Sequence, residues 1–383
     1  MSSRLGKRRL AGLAVTLATA LLVTTAGRAK AADPLTNSGV TVDQPGAILV
    51  FPKVVYKANP TTGEVRDTII QVANTFNSAV RARCFYVNAQ LTNPTQPFHP
   101  TLNPRLWQET DFSILLTRQQ PTHWVASLGR PVNPGDPLGS GNAGLDPGGV
   151  PPVTLGFEGE LRCVTVDNSD AALGANYLKG EATLRSSTYD VSNYNAIAIR
   201  GGELAPENPT ELWLDEIGKD TGLHYNSCPD TLLLDFIAFG EPDPVVSDLG
   251  LCTAPADCAV ETTLTLVPCS ADFENVQGGS AVVNFDITNE FEERLSRDGV
   301  PVDCWLDSPL NALGSNAFNA GVLGSITGFA RITPASGSGG ILGIAEETRS
   351  DSAASLGRAA FSLQHEGSRA ASEAPDVIVL SAP

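Results

Sequence analysis

"VANTFNSAVRARCFYV", residues 72–87, reads as the end of a strand, a turn, and a second strand that carries a cysteine. Ile70 and Val72 alternate with polar neighbours, Asn74 opens a run of turn residues, and Val80 to Val87 is rich in strand-forming types. The chain writes much of the phrase again as "ITNEFEERLSRDGVPVDCWL", residues 287–306. With Asn74 placed on Asn289, Ile70 falls on Phe285, Val72 on Ile287 and Phe76 on Phe291, while Pro52 falls within one residue of Pro268. In both copies the apolar residues share one face with a period of two, as a half-buried strand requires. Cys84 and Cys304 close the following strand, with Phe85 and Trp305 beside them.

A second echo follows in the same order. Gly180, Ala182 and Leu184 match Gly328, Ala330 and Ile332, and each set is followed by a small-Ile-Ala triplet, at 196–198 and at 343–345. The first copy also holds two long loops rich in Pro and Gly, "NPTQPFHPTLNP" (93–104) and "GRPVNPGDPLGSGNAGLDPGGVPP" (129–152). Short Val/Ile/Thr runs separated by turn residues fill both halves. The pattern predicts an all-β chain of two related antiparallel β-sandwich domains, at 32–202 and 260–383. Residues 203–259 are expected to connect them. Within that connector "CPDTLLLDFIAFG" predicts a helix, with Ser227 as cap, Pro229 in the first turn and Gly240 as terminator. Its apolar residues surround much of such a helix, which suits packing between larger bodies.

Residues 1–31 read as a signal peptide. Arg4, Lys7, Arg8 and Arg9 form a basic start, Leu10 to Ala26 is apolar, and Ala29-Lys30-Ala31 supplies a cleavage site after Ala31. The apolar run is shorter than a spanning helix needs, and no later segment is long and apolar enough to span. A soluble chain outside the cytoplasm, secreted or periplasmic, is the expectation. The formal net charge is −17, and cleavage would make it more negative by removing basic residues only. Such a surface disfavours nucleic acid and anionic lipid and suits solubility.

Seven cysteines fit an oxidising compartment. Cys84 and Cys163 lie mid-strand and in phase, so they are paired here. Cys252 and Cys258 bracket a Pro-containing loop and close it. Cys269 then pairs with Cys304, leaving Cys228; the alternative is Cys228 with Cys269, leaving Cys304. No cysteine spacing suggests a metal or haem, and His99, His123, His224 and His365 are far apart in sequence.

No catalytic motif is present: no nucleophile elbow, no H-E-x-x-H, no P-loop and no dinucleotide fingerprint. The Ser/Gly-rich "ASGSGG" at 335–340 reads as a flexible turn. No cofactor is implied. The acidic loops "LDEIGKDTG" (214–222) and "DNSDAALG" (167–174) offer oxygen ligands suited to calcium but lack the EF-hand spacing, and solvated turns account for them better. Trp107 and Trp124 could stack on sugar rings, though Trp124 alternates with apolar residues as a core residue would.

The run "ILVFPKVV…DTIIQVANTFNSAVRARCFYVNA…DFSILLTRQQPTHW", within residues 47–127, resembles a group of secreted bacterial proteins of unknown function. The shared motifs are structural. The resemblance implies an extracytoplasmic β-sandwich and carries over no catalytic residue. The expected function is a non-enzymatic secreted or envelope module, binding an extracytoplasmic partner or surface through the loops of the first domain. The competing expectation is an extracellular hydrolase of a polymer that uses two carboxylates as acid and base.

Overall fold

The computed structural model describes residues 39–131, 147–202, 206, 208–215, 222–240, 258–351, 354–370 and 372–381. The expected signal peptide and Cys252 lie outside them. Among the described residues strand makes up 57% and helix 3%, so the all-β expectation holds.

The first half contributes β1 (Val40–Thr41), β2 (Ile48–Ala58), β3 (Val65–Asn74), β4 (Val80–Asn88), β5 (Gln108–Leu116), β6 (Pro121–Val125), β7 (Phe157–Val166), β8 (Leu178–Ser186), β9 (Val191–Asn195) and β10 (Ile197–Ile199). One layer runs β1-β10-β2-β7-β4-β5 and the other β6-β3-β8-β9. The layers are continuous at the β2–β3 hairpin, where Lys57 faces Arg66 and Ala58 faces Val65, and a bridge between Gly46 and Leu178 ties their other end. Between them lie Leu49, Phe51, Ile70, Val72, Tyr86, Trp124, Leu161, Leu184 and Tyr194.

The run "ILVF" has no polar gaps because β2 is covered on both faces. Leu49 and Phe51 enter the inner core, while Ile48 and Val50 enter a second cluster on the outer side. A continuous apolar run is the sign of such a strand. Pro52 interrupts it, and the register with β7 shifts between Phe51 and Val54. An irregularity of this kind lets a residue without an N–H sit inside a sheet.

The rest of the described chain forms β11 (Glu211–Leu214), β12 (Thr231–Ile237), β13 (Cys258–Pro268), β14 (Ala271–Asp272), β15 (Gln277–Gly278), β16 (Ser280–Asn289), β17 (Arg294–Asp303), β18 (Leu306–Pro309), a single helical turn α1 (Ala320–Leu323), β19 (Thr327–Pro334), β20 (Ile341–Asp351), β21 (Ala354–Ser362), β22 (Gln364–Glu366) and β23 (Asp376–Val379). A second sandwich packs β17-β16-β19-β12-β22 on β18-β13-β20-β21 around Leu232, Phe236, Leu264, Phe285, Ile287, Phe318 and Ile332. A small sheet, β11-β23-β14-β15, covers the outer face of the first sandwich with Leu212, Leu214, Phe273 and Ile378.

The expected connector helix is overturned. "TLLLDFI" is the strand β12, paired with β19 on one side and β22 on the other. Leu232, Leu234 and Phe236 are buried at a period of two, and Leu233 is half-buried on the opposite face. With Leu233 and Ile237 apolar on the half-open face, the run is apolar nearly all round, and short runs of this kind do not separate strand from helix by periodicity. The described residues of 203–259 therefore do not form a free connector. β11 joins the small sheet and β12 belongs to the second sandwich.

The echoed residues hold related places. Ala198 lies opposite Leu49, and Ala345 lies opposite Leu264. β3 pairs with β8, and β16 with β19, but the registers differ by two: Val72 faces Gly180, whereas Ile287 faces Ala330. Asn74 and Asn289 are both buried and build the same turn, with Oδ1 accepting from the amide of Phe76 at 2.7 Å and of Phe291 at 2.9 Å. Beyond the turn the halves part. β4 pairs with β5 and β7, while β17 returns to pair with β16. Both phenylalanines are exposed, but Phe76 stacks on Tyr177.

Cys84 and Cys163 are bonded and lie directly opposite each other on β4 and β7. Cys228 is bonded to Cys269, and Cys304 is a free thiol. The expected Cys269–Cys304 pair is therefore wrong and the alternative right. The segment before β12 carries Cys228 onto the end of β13, a neighbour that a helical connector would not supply. Cys258 is disulfide-bonded.

Candidate binding cleft at the seam

The two halves are joined by groups that neither could bury alone. Lys53 on β2, 2% exposed, places Nζ 2.8 Å from Asp307 Oδ1 and 3.1 Å from Glu346 Oε2. Thr265 Oγ1 donates to Asp307 at 2.6 Å, and Arg66 Nη2 reaches Glu346 Oε1 at 2.5 Å. Tyr194 OH donates to the Lys53 carbonyl at 2.6 Å. Burial alone would lower the Lys53 ammonium, but Asp307 and Glu346 outweigh it and raise it above the usual lysine value. Burial would likewise raise both carboxyls, and Lys53 instead holds them below their usual range.

Other staples lie beside it. Arg162 donates to the carbonyls of Cys269 (2.7 Å) and Pro268 (2.6 Å), and pairs with Glu160. Trp305 Nε1 donates to the Pro52 carbonyl at 2.8 Å, and Phe85 stacks on Phe273.

At the edge of this seam opens a cleft of about 710 Å³. The β2–β3 hairpin supplies Lys57, Asn59, Pro60, Glu64 and Arg66; the chain after β4 supplies Gln90, Pro94 and Thr95; Leu155, Gly156 and Glu158 precede or begin β7; and Arg358 comes from β21. The hairpin is fixed by Asn59, whose Oδ1 accepts from the amides of Thr61 (2.8 Å) and Thr62 (3.2 Å). The 93–104 loop is irregular but tied. Asn103, buried at its far end, donates to the carbonyls of Asn93, Gln96 and Pro97. Arg105 lies over the rings of Phe98 and Trp305 and donates to the Ala89 carbonyl.

The charges in the cleft are matched. Lys57 pairs with Glu158, and Arg358 pairs with Glu64 (3.2 Å) and with Asp190 (3.1 Å). Both cleft glutamates are thus held by cations. Leu155 is 60% exposed and gives the cleft an apolar spot. A different carboxylate pair, Glu109 and Asp111, lies on the edge strand β5. Burial and then Asp111 push Glu109 up to about 7, and Asp111 pairs with Arg83 at 2.7 Å. Neither residue lines the seam cleft.

The sugar-stacking candidates are core residues. Trp124 donates its Nε1 to Tyr86 OH, and Trp107 stacks on Phe273. The histidines stay apart. His99 caps its own loop through Nδ1, His123 is exposed on β6, His224 pairs with Asp215, and His365 is buried on β22. Among the described residues one group has metal-ligand proximity, Cys228, Cys269 and Asp376, but its sulfurs are bonded to each other.

In the 167–174 loop, Asp167 accepts from Ser169 and the Ala171 amide, and Asp170 pairs with Arg81 at 2.9 Å. Its carboxylates are engaged in the turn. Of the 214–222 loop, residues 216–221 lie outside the described set. Burial, with Asp303 beside it, pushes the Cys304 thiol up to about 11, so it is a poor nucleophile.

Sequence reasoning passed over the seam residues. The one available signal was Lys53 inside the apolar run "ILVFPKVV", because a lysine in a buried strand requires a partner. Comparison with known proteins returns no matching family model, no similar curated protein and no similar solved structure.

Proposed function

We propose that the chain is a non-enzymatic extracytoplasmic module that binds a partner or surface through the seam cleft. The carrying observation is the composition of that cleft: a hairpin and a loop of the first half are closed off by Arg358 of the second. Loops on a rigid scaffold are where binding sites are usually built. The ion-paired state of Glu64 and Glu158 favours binding over acid–base chemistry, since a general acid or base must be available to the substrate. The disulfides fit an oxidising compartment, and no helix among the described residues is long and apolar enough to cross a membrane. The resemblance to secreted bacterial proteins points the same way. The matched registers at Leu49 and Leu264 support reading the halves as two versions of one plan.

The test is retention of the purified chain on isolated cell-envelope material from its source. Leu155→Asp, at an exposed cleft position, should lower retention at least tenfold while leaving the melting temperature unchanged. Equal retention of the two proteins would remove the cleft from the reading. Release of soluble fragments from the envelope polymer, abolished by Glu64→Gln or Glu158→Gln, would replace it with the hydrolase reading.

A further inference from the structure

The four tryptophans divide three to one. Trp107, Trp124 and Trp305 are at most 4% exposed, whereas Trp213 is 40% exposed. It lies on β11, the edge strand of the small sheet. Leu212 and Leu214 point into the buried cluster, which turns Glu211 and Trp213 outward. Beside β11 the chain returns through His224 and Tyr225. Tyr225 N donates to the Trp213 carbonyl at 2.9 Å, and Asp215 N donates to the Tyr225 carbonyl at 3.1 Å. Tyr225 is itself buried and donates its hydroxyl to the Leu173 carbonyl at 3.1 Å, anchoring the return.

These contacts set the His224 ring 5.7 Å from the indole, tilted by 45°. Asp215 Oδ2 lies 2.9 Å from His224 Nδ1, which fixes the orientation of the imidazole. Asn208 is fixed in turn by Thr210, whose amide and hydroxyl both donate to its Oδ1 at 3.0 Å. The result is a pocket of about 260 Å³ with Pro206, Asn208, Glu211, Trp213, Leu223 and His224 in its wall.

We propose that this pocket binds one pyranose ring of a saccharide, its C–H face against the indole of Trp213 and its hydroxyls against Glu211, Asn208 and His224. The volume falls below the range of about 300–1,000 Å³ typical of drug-sized ligands, so it suits a group of one ring. One flat apolar wall with polar groups around it fits a ligand that has an apolar face and a polar edge. A purely aromatic ligand would cover the indole but strip water from Asn208, Glu211 and His224 without replacing its hydrogen bonds. A quaternary ammonium is best held by aromatic faces on several sides, and here there is one indole and one tilted imidazole. The proposal shares no residue with the seam cleft and stands or falls apart from it.

Trp213 itself supplies the readout, because it is far more open to acrylamide quenching than the other three tryptophans. Maltotriose, cellotriose and tri-N-acetylchitotriose are titrated into the full chain, with tetramethylammonium in a parallel series. At least one trisaccharide should shield Trp213 saturably. By calorimetry Trp213→Ala should weaken that trisaccharide at least tenfold, Trp213→Phe less, and Glu211→Gln only slightly, because an amide still bonds hydroxyls. Unchanged circular dichroism shows that the variants are folded. Failure of all three trisaccharides to shield Trp213 overturns the proposal. So does shielding by tetramethylammonium alone that Glu211→Gln abolishes, which would make the pocket a cation site.

Discussion

His365 shows what one buried side chain does to pH dependence. It sits on β22 against Leu232, and its Nε2 is buried with no hydrogen-bond partner among the described residues. Burial lowers its pKa to about 4. The unfolded chain takes up this proton near the ordinary histidine value, whereas the folded chain refuses it until far lower pH. The neutral form thus contributes stability that is complete above about pH 6.5 and is lost as pH falls toward 4. The full contribution is on the order of 3 kcal/mol. His365→Phe should remove this group's share of the slope, so that urea midpoints of the variant fall less between about pH 6.5 and 4 than those of the wild type. Parallel curves for the two proteins would show that His365 does not carry the effect.

At the scale of elements, two glycines explain why the echoed strands were legible. Gly180 and Gly328 lie inside strands, where glycine is ordinarily unfavourable. A Cβ on Gly180 would meet Phe51 Cζ at 2.6 Å, and one on Gly328 would meet Phe236 Cζ at 2.5 Å. Each glycine makes room for an aromatic ring. Gly180→Ala and Gly328→Ala should each destabilise by about 1–3 kcal/mol through overpacking, measured by chemical unfolding. A neutral result at either site would mean the ring moves aside freely. Where one face of a strand is buried, as at Ile70 and Val72, alternation in the sequence reports it directly. Where apolar residues also occupy the half-open face, as Leu233 and Ile237 do in β12, the alternation is masked in the sequence and a strand reads as a helix. Cys84 and Cys163 were paired from phase alone because they face each other across adjacent strands. Cys228 and Cys269 were not, because their meeting depends on the placement of β12. Trp213 was hidden for a related reason: β11 is short, and its outward face is known only once Leu212 and Leu214 are seen to enter the buried cluster.

For the whole molecule, the Lys53 cluster decides how firmly the halves hold together. Lys53→Ala leaves Asp307 and Glu346 buried, with Thr265 on the first and Arg66 and Ser192 on the second as remaining partners. Removing one member of a buried ion pair costs about 3–5 kcal/mol, and a loss of that size is expected in chemical unfolding. The pH window follows from the directions of the shifts. The two carboxyls are held low, so their contribution is present above the ordinary carboxylate range and lost as pH falls through their folded values. The ammonium is held high, so its contribution is complete below the ordinary lysine value and lost as pH rises through its folded value. In wild type the cluster therefore holds from about pH 5 to about pH 10 and fails on either side. The variant should lose both limbs. If it unfolds like wild type across the range, the cluster is decoration and the apolar cluster around Phe85 and Phe273, with the Arg162 and Trp305 staples, binds the halves.

The two-sided burial of β2 also imposes an order in time. Ile48 and Val50 on the outer face are covered by a cluster that includes Val267, Phe273, Leu342 and Ile378. The polar staples reach as far: Lys53 to Asp307 spans 254 residues, and Arg83 to the Ser381 carbonyl spans 298. Contacts of such long range form late, after the entropy of closing a very large loop has been overcome. A nascent chain that has emerged only as far as β10 can close its first layers on each other, yet it carries a bare apolar sheet on the side where the second half belongs. During that interval the half-made protein is at its most adhesive, and a helper that shields this sheet until the C-terminal strands arrive would act on β2, β4 and β7.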